Sequence, residues 1–135
     1  MRGILADINV VGHVEGIVAI WTSATWRDLW DALVLEVFDF GALGLSDRSP
    51  DALIWRTCQQ EQLVLITANR NDDGPDSLGT TIRNENQPDS LPVVTIADAK
   101  RVLRDRDYAE RVAVSVLDYL MRIDEVRGTG RLYVP

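Results

Sequence analysis

One short segment, Leu63-Val64-Leu65-Ile66-Thr67, constrains the fold more than any other part of the sequence. Its first four residues are all apolar, and such a run is typical of a central parallel strand that is buried on both faces. Neighbouring parallel strands are joined by crossover connections, which are usually helices. The segment therefore predicts a parallel sheet with helices on both sides.

The rest of the chain predicts strands that alternate with helices, which favours a three-layer α/β/α fold around a mainly parallel sheet of four to five strands. Helices are expected wherever apolar residues recur with helical spacing or a capping residue precedes them. The other predicted strands are Gly3 to Asn9 (emerging at Asp7), Leu33 to Phe40, Val93 to Ile96 and a terminal strand within Gly128 to Pro135. The predicted helices are Val10 to Trp21, one carrying Trp26 to Leu33, Ser49 to about Gln60, Pro75 or Asp76 to Ile82, one that Asp98 caps, and Tyr108 to Ile123.

Length and composition predict one domain that spans residues 1–135. The chain has 135 residues, of which 46% are hydrophobic, and this is enough for one continuous core. No apolar run is long enough to cross a membrane, and Asp7 comes too early for a signal peptide. We therefore expect a cytoplasmic protein without a membrane partner. The single cysteine, Cys58, excludes an internal disulfide and is expected to pack in the core.

The charge balance restricts the ways in which this chain could bind nucleic acid. The formal net charge is −7 at pH 7. Such a chain repels polyphosphates at long range, which argues against a sequence-blind coat protein that binds by counterion release. Divalent cations could reverse this repulsion locally.

Acidic and amide side chains follow the predicted strands. Asp7 ends the first strand, Asp51 opens the helix after the second, and Asn69 to Asp73 follow the third. Ligands of open parallel sheets bind at the carboxyl ends of the strands, where the strand order reverses. Mg²⁺ and Mn²⁺ prefer hard oxygen ligands, so converging carboxylates predict a site for one of these ions.

Three blocks of this sequence resemble the short PIN-like domains. They are Leu5 to Asn9, Ser49 to Ile54, and Leu63 to Asn71, within a resemblance that covers roughly residues 3–96. The resemblance implies a magnesium-dependent ribonuclease that acts on RNA, often as the toxin of a toxin–antitoxin pair with an antitoxin protein as partner. It implies metal binding by Asp7 and Asp51, completed by Asn69, Asn71 and Asp72, with catalysis carried by Asp7, Asp51 and Asp72.

The third block departs from the family pattern, because Asn69 and Asn71 stand where the family has aspartates. An amide oxygen can coordinate a metal, but a lost carboxylate lowers the attraction for a divalent ion by several kcal/mol even at an effective dielectric constant of about 20. Asp72, Asp73 or Asp76 could compensate if the loop folds back. The alternative is a catalytically inactive PIN-like module that binds RNA or a protein partner.

Most of these residues also have structural roles available. Ser49 and Asp98 can cap helices, and Asn69 and Asn71 can hold a turn. The sole histidine, His13, lies on a predicted helix, where packing or solvent contact is a commoner role than general base. The segment Arg127 to Arg131 is expected to be a flexible hinge into the terminal strand.

Apolar and small residues give two further expectations. The four tryptophans at helical positions are expected in the core, although with a terminal strand they also make a homodimer plausible. Gly12 and Gly16 have a spacing that permits close helix packing.

A receiver-type signalling domain is a third class that the Thr67-Ala68 pair suggests, but Asp7 is followed by Ile8 rather than by a second acidic residue, and Lys100 by Arg101 rather than by proline.

Overall fold

The computed structural model describes all residues from 1 to 135 and has a central sheet of five strands, all parallel. The order across the sheet is β2-β1-β3-β4-β5. The predicted α/β fold with a parallel sheet between helices is thus confirmed. The strands are β1 (Gly3–Ala6), β2 (Glu36–Phe38), β3 (Leu63–Thr67), β4 (Val93–Ile96) and β5 (Arg131–Val134).

Seven α-helices connect and cover the strands, and two single 3₁₀ turns lie at Ile8–Val10 and Gly41–Leu43. No helix is both long and apolar enough to cross a membrane. The helices are α1 (Val11–Trp21), α2 (Arg27–Leu33), α3 (Asp51–Glu61), α4 (Leu78–Glu85), α5 (Ala99–Arg104), α6 (Arg106–Met121) and α7 (Ile123–Val126).

The two faces of the sheet are covered unequally. Residues of α1, α5 and α6 pack on the first face and form a cluster of 22 buried residues. There the indole nitrogen of Trp21 donates a hydrogen bond to the carbonyl of Ala113 at 2.8 Å, which joins α1 to α6. The second face carries a cluster of 10 buried residues that includes Cys58 and Trp55 of α3 and Leu78 of α4. The expected core position of Cys58 is confirmed.

The alternation of side chains along each strand determines which residues reach the second face. Leu5 of β1 and Leu65 of β3 belong to its cluster, so Asp7 and Thr67, two positions further along each strand, lie on the same side. Thr67 is paired in register with Thr95 of β4, which is paired with Tyr133 of β5. A row of polar side chains therefore crosses the second face at the carboxyl ends of four strands.

The structure corrects two local predictions. Ser49 does not cap α3: its hydroxyl accepts a hydrogen bond from the amide of Ser46 at 2.9 Å, and Pro50 holds the N-cap position. Gly12 and Gly16 do not permit close packing, since a β-carbon at either would have nothing within 4 Å. Both glycines are exposed.

The remaining expectations agree with the structure or shift slightly. Asp98 caps α5 by accepting from the amide of Arg101, and three of the four tryptophans are buried while Trp26 is partly buried. α4 begins later than predicted, because Ser77 is its N-cap. The segment Arg127 to Arg131 is not the predicted flexible hinge but packs closely, since a β-carbon at Gly128 would lie 2.7 Å from the carbonyl oxygen of Pro88.

The close approach of β1 and β2 requires a glycine at position 3. A β-carbon there would lie 2.0 Å from the carbonyl oxygen of Glu36. We expect Gly3→Ala to lower the free energy of unfolding by about 1–3 kcal/mol, because the strands must separate. Gly16→Ala is the matched control and should raise it by about 0.5–1 kcal/mol, since alanine is the better helix former. Urea denaturation measures both, and an unchanged midpoint for Gly3→Ala would contradict the observed pairing.

Candidate functional site

The strand order places a crevice between the carboxyl ends of β1 and β3. β2 lies on one side of β1, whereas β3, β4 and β5 follow on the other, so the chain reverses its direction of winding at this point. In open parallel sheets this reversal separates the flanking loops and forms the usual ligand site. Asp7, directly after β1, and Thr67, the last residue of β3, flank the crevice.

Asp7 is buried at the carboxyl end of β1 and is held there by its neighbours. Only 9% of its surface is exposed, and the hydroxyl of Thr67 donates a hydrogen bond to its Oδ2 at 2.6 Å. The Asp7 amide donates to the carbonyl of Ile66 at 2.9 Å, which extends the β1–β3 pairing. A carboxylate that is buried in this way is fixed in position by its neighbours, so its orientation is determined before any ligand binds.

A short chain of hydrogen bonds joins Asp7 to Asp51. The Thr67 hydroxyl, which donates to Asp7, also accepts from the backbone amide of Asn69 at 2.9 Å. The side-chain amide of Asn69 in turn donates to Oδ2 of Asp51 at 2.9 Å. The amide of Leu78, at the start of α4, donates to the same oxygen at 3.1 Å. Residues from four separate segments thus bring two of the predicted acidic residues to one site.

Asn69 and Asn71 use their side-chain oxygens inside the loop. Oδ1 of Asn69 accepts from the amide of Asn71 at 2.8 Å, and Oδ1 of Asn71 accepts from the amide of Asp73 at 3.0 Å. These two consecutive Asx turns confirm the structural role that their residue type favours. In this arrangement Asn69 presents its NH₂ group, rather than its oxygen, to Asp51.

The Asp72 carboxylate takes no part in the hydrogen bonds that join Asp7 to Asp51. Its carboxylate is 66% exposed and lies 3.9 Å from the guanidinium of Arg83. Its Cα and Cβ pack against Gly79, where an added β-carbon would come within 2.6 Å. Nowhere in the chain do three acidic, histidine or cysteine side chains converge as a metal-binding group. Hydrogen bonds therefore connect Asp7 with Asp51, Asp72 lies outside this network, and the catalytic roles of all three stay predictions.

The donor set at Asp7 and Asp51 nevertheless suits a hard cation. Each carboxylate uses Oδ2 for hydrogen bonds within the chain, and Oδ1 of each accepts none. Mg²⁺ is commonly held by one or two carboxylates together with water and the phosphates of a substrate. Asp7 and Asp51 could therefore hold Mg²⁺ or Mn²⁺ without Asn69 or Asn71 as ligands.

A basic side chain that sequence analysis did not single out completes the site. Nη1 of Arg131 donates at 2.7 Å both to the carbonyl of Asn69 and to the hydroxyl of Thr95. Burial lowers the pKa of this guanidinium, the adjacent Arg70 lowers it further, and Tyr133, Asp51 and Asp72 act in the opposite direction. The guanidinium is a stable cation even so, because its ordinary pKa is above 12. The site therefore combines two carboxylates with a fixed positive charge.

Cys58 lies beneath the site in the second core cluster. Burial raises the pKa of its thiol to about 12, and the negative charge of Asp7 contributes in the same direction. A neutral, buried thiol is a poor nucleophile and a poor metal ligand. Cys58 therefore supports the packing below Asp7 and takes no part in the chemistry.

Comparisons of this chain with protein-family models, with curated proteins and with solved structures found no match.

The Thr67 hydroxyl is the central link of this site, which gives a test of its architecture. We expect Thr67→Val to lower the free energy of unfolding by about 1–3 kcal/mol, because it leaves the buried Asp7 oxygen and the Asn69 amide without a partner. The control is Thr57→Val, which removes a hydroxyl bound to the Leu53 carbonyl at the surface of α3. That change should cost less than about 0.5 kcal/mol. Equal losses in the two variants, measured by urea denaturation, would contradict the proposed link.

Proposed function

We propose that this protein is a metal-dependent ribonuclease of PIN-like type. The observation that supports the proposal most is the hydrogen-bonded connection of Asp7 through Thr67 and Asn69 to Asp51, at the reversal point of the parallel sheet. Both carboxylates keep Oδ1 free of hydrogen bonds within the chain, and a cation bound to them would offset their negative charge. A phosphodiester substrate would arrive with such a divalent ion.

The proposed ligands of Mg²⁺ or Mn²⁺ are Oδ1 of Asp7 and Oδ1 of Asp51. When bound, such an ion lowers the pKa of a water molecule and neutralises charge on the scissile phosphate. The chain supplies the orientation: the Thr67 hydroxyl holds Oδ2 of Asp7, and the Asn69 and Leu78 nitrogens hold Oδ2 of Asp51. Hydrogen bonds that hold a metal-binding carboxylate in this way contribute to metal affinity as well as to the direction of the ligand.

The positive charge near the carboxylates suits an anionic substrate. Arg131 is anchored through Nη1, and none of its other nitrogens donates within the chain. A guanidinium has five N–H groups, so three remain for phosphate oxygens. Asp72, which the resemblance implies in catalysis, lies at the rim beside Arg83 and has no assigned step in this proposal.

A second candidate, a catalytically inactive PIN-like module that binds RNA or a protein partner, is favoured by one specific contact. The NH₂ group of Asn69 satisfies Oδ2 of Asp51, where an aspartate at position 69 would instead repel it. The amide therefore replaces part of the charge compensation that a cation would provide. A site that is stabilised in this way has a weaker requirement for metal.

The proposed partners follow from the same reasoning. RNA is the proposed substrate, and an antitoxin protein is proposed only because the resemblance to toxin-type PIN-like domains implies one. A ribonuclease that acts on cellular RNA would work in the cytoplasm. A homodimer would have to form without most of the tryptophans, because Trp21, Trp30 and Trp55 are buried and offer no aromatic surface to a second copy.

The ribonuclease proposal predicts that activity and metal binding depend on Asp7. We expect calorimetric titration to detect Mn²⁺ binding that Asp7→Asn weakens by more than about tenfold, since one anionic ligand is lost. Cleavage of mixed RNA in Mg²⁺ or Mn²⁺ should be lost in the same variant. Asp98→Asn is the matched control, because Asp98 follows β4 at the same edge of the sheet and asparagine can replace it as a helix cap. RNA that stays intact with wild-type protein and either metal would refute the enzymatic proposal.

The role of Asn69 can be tested by restoring the carboxylate of the family pattern. Without metal, we expect Asn69→Asp to lower the free energy of unfolding by about 1–3 kcal/mol, because a hydrogen bond to Asp51 is lost. With Mn²⁺ the variant should bind the ion more tightly than wild type. Asn71→Asp adds the same charge but keeps its turn with the Asp73 amide, so it should change little. If Asn69→Asp cleaves RNA and the wild-type protein does not, the wild-type chain is the catalytically inactive module. An unchanged Mn²⁺ affinity would show that residue 69 lies outside the metal site.

A further inference from the structure

A cleft opens on the second face of the sheet, next to the loop that follows β3. It has a volume of about 210 Å³ and lies between α4, the loop after β3 and the start of β5. Three arginines and one aspartate line it, so the cleft is locally basic in a protein of net charge −7. The lining residues are Arg70, Asp72, Gly79, Ile82, Arg83, Arg131 and Tyr133.

Tyr133 presents an aromatic ring to this cleft. The residue is 51% exposed, although it lies in a strand of the central sheet. The guanidinium carbons of Arg70 and Arg131 lie 5.6 and 5.9 Å from the centre of its ring. An exposed ring with two cations nearby offers a stacking surface for a base and charge for the adjacent phosphates.

The two arginines are held in place by contacts within the chain. Arg131 is anchored to the Asn69 carbonyl and the Thr95 hydroxyl, and Nη2 of Arg70 donates to the carbonyl of Ala97. Side chains that are already ordered lose less conformational entropy when a ligand binds. Asn69 contacts both Arg131 and Asp51, so a single residue connects this side of the cleft with Asp51.

We infer that this cleft binds single-stranded nucleic acid, with a base stacked on Tyr133 and phosphates on Arg70 and Arg131. A single strand fits because its bases are free to leave their neighbours and lie on an aromatic ring, whereas those of a duplex are stacked and paired. The inference deepens the proposed ribonuclease and rests on it, since the cleft would deliver the strand to Asp7 and Asp51. It names the substrate as unpaired RNA.

Binding can be measured separately from cleavage by excluding metal ions. The probe is a short fluorescein-labelled oligouridylate, titrated with the protein in EDTA at low salt and followed by fluorescence anisotropy. Tyr133→Leu should weaken binding by at least about fivefold, because the stacking surface is lost. Arg70→Gln should weaken it as well and should reduce the slope of log K against log salt by about 0.7, as expected for one lost phosphate contact to a single strand.

Matched controls lie on the opposite side of the sheet. Tyr119→Leu removes another tyrosine that has an arginine, Arg122, over its ring, and Arg104→Gln removes an exposed arginine of α5. Both should bind the probe as wild type does. Thermal melting of all four variants identifies any that fail to fold, and affinities are then compared per folded molecule.

The results separate this inference from the proposed function. The inferred binding role of the cleft is wrong if wild-type protein does not bind oligouridylate in EDTA. It is also wrong if Tyr133→Leu and Arg70→Gln bind the probe as the controls do. Equal affinity for a duplex of the same length would also overturn it. Oligodeoxythymidylate distinguishes the two sources of a single strand, and tighter binding to it than to oligouridylate would overturn RNA as the substrate. Asp7→Asn should retain binding while it loses cleavage, so a loss of cleavage alone leaves the cleft intact.

Discussion

The requirement that a parallel sheet be covered on both faces determines most of this structure. β1, β3 and β4 are fully buried, so most of their side chains are apolar and helices pack above and below. The covering is uneven, with a cluster of 22 buried residues on one face and 10 on the other. The thinner layer ends before β5, and it is there that polar side chains reach solvent at the carboxyl edge.

The polar residues at this edge replace the apolar packing with hydrogen bonds. Thr67 and Thr95 are fully buried, and each uses its hydroxyl to hold a charged neighbour, Asp7 and Arg131 respectively. A buried polar group without a partner would cost about 1–3 kcal/mol, so such a row is stable only when its members satisfy one another. The same hydrogen bonds that stabilise the edge therefore also fix the direction of the charges at the candidate site.

The strands and the position of Asp7 could be predicted from sequence, because burial on both faces leaves a continuous apolar run and the first charged residue marks its end. The orientation of Asn69 could not, since an amide offers both a donor and an acceptor and only the folded loop decides which faces Asp51. Arg131 was missed for a different reason. Arg131 and Tyr133 are two positions apart and therefore share one face of a strand, but the sequence does not reveal that this face is left open.

The hydrogen bond from Arg131 to the Asn69 carbonyl joins residues that are 62 positions apart in the chain. Contacts of such sequence separation form only after a large loop has closed, and the entropy of that closure slows folding. The loop after β3 can fold into its turns locally, whereas its attachment to β5 requires the intervening strand and helices to be in place. Completion of the site is thus coupled to completion of the sheet. A partly folded chain would present Asp7 and Asp51 without the guanidinium of Arg131 in its place.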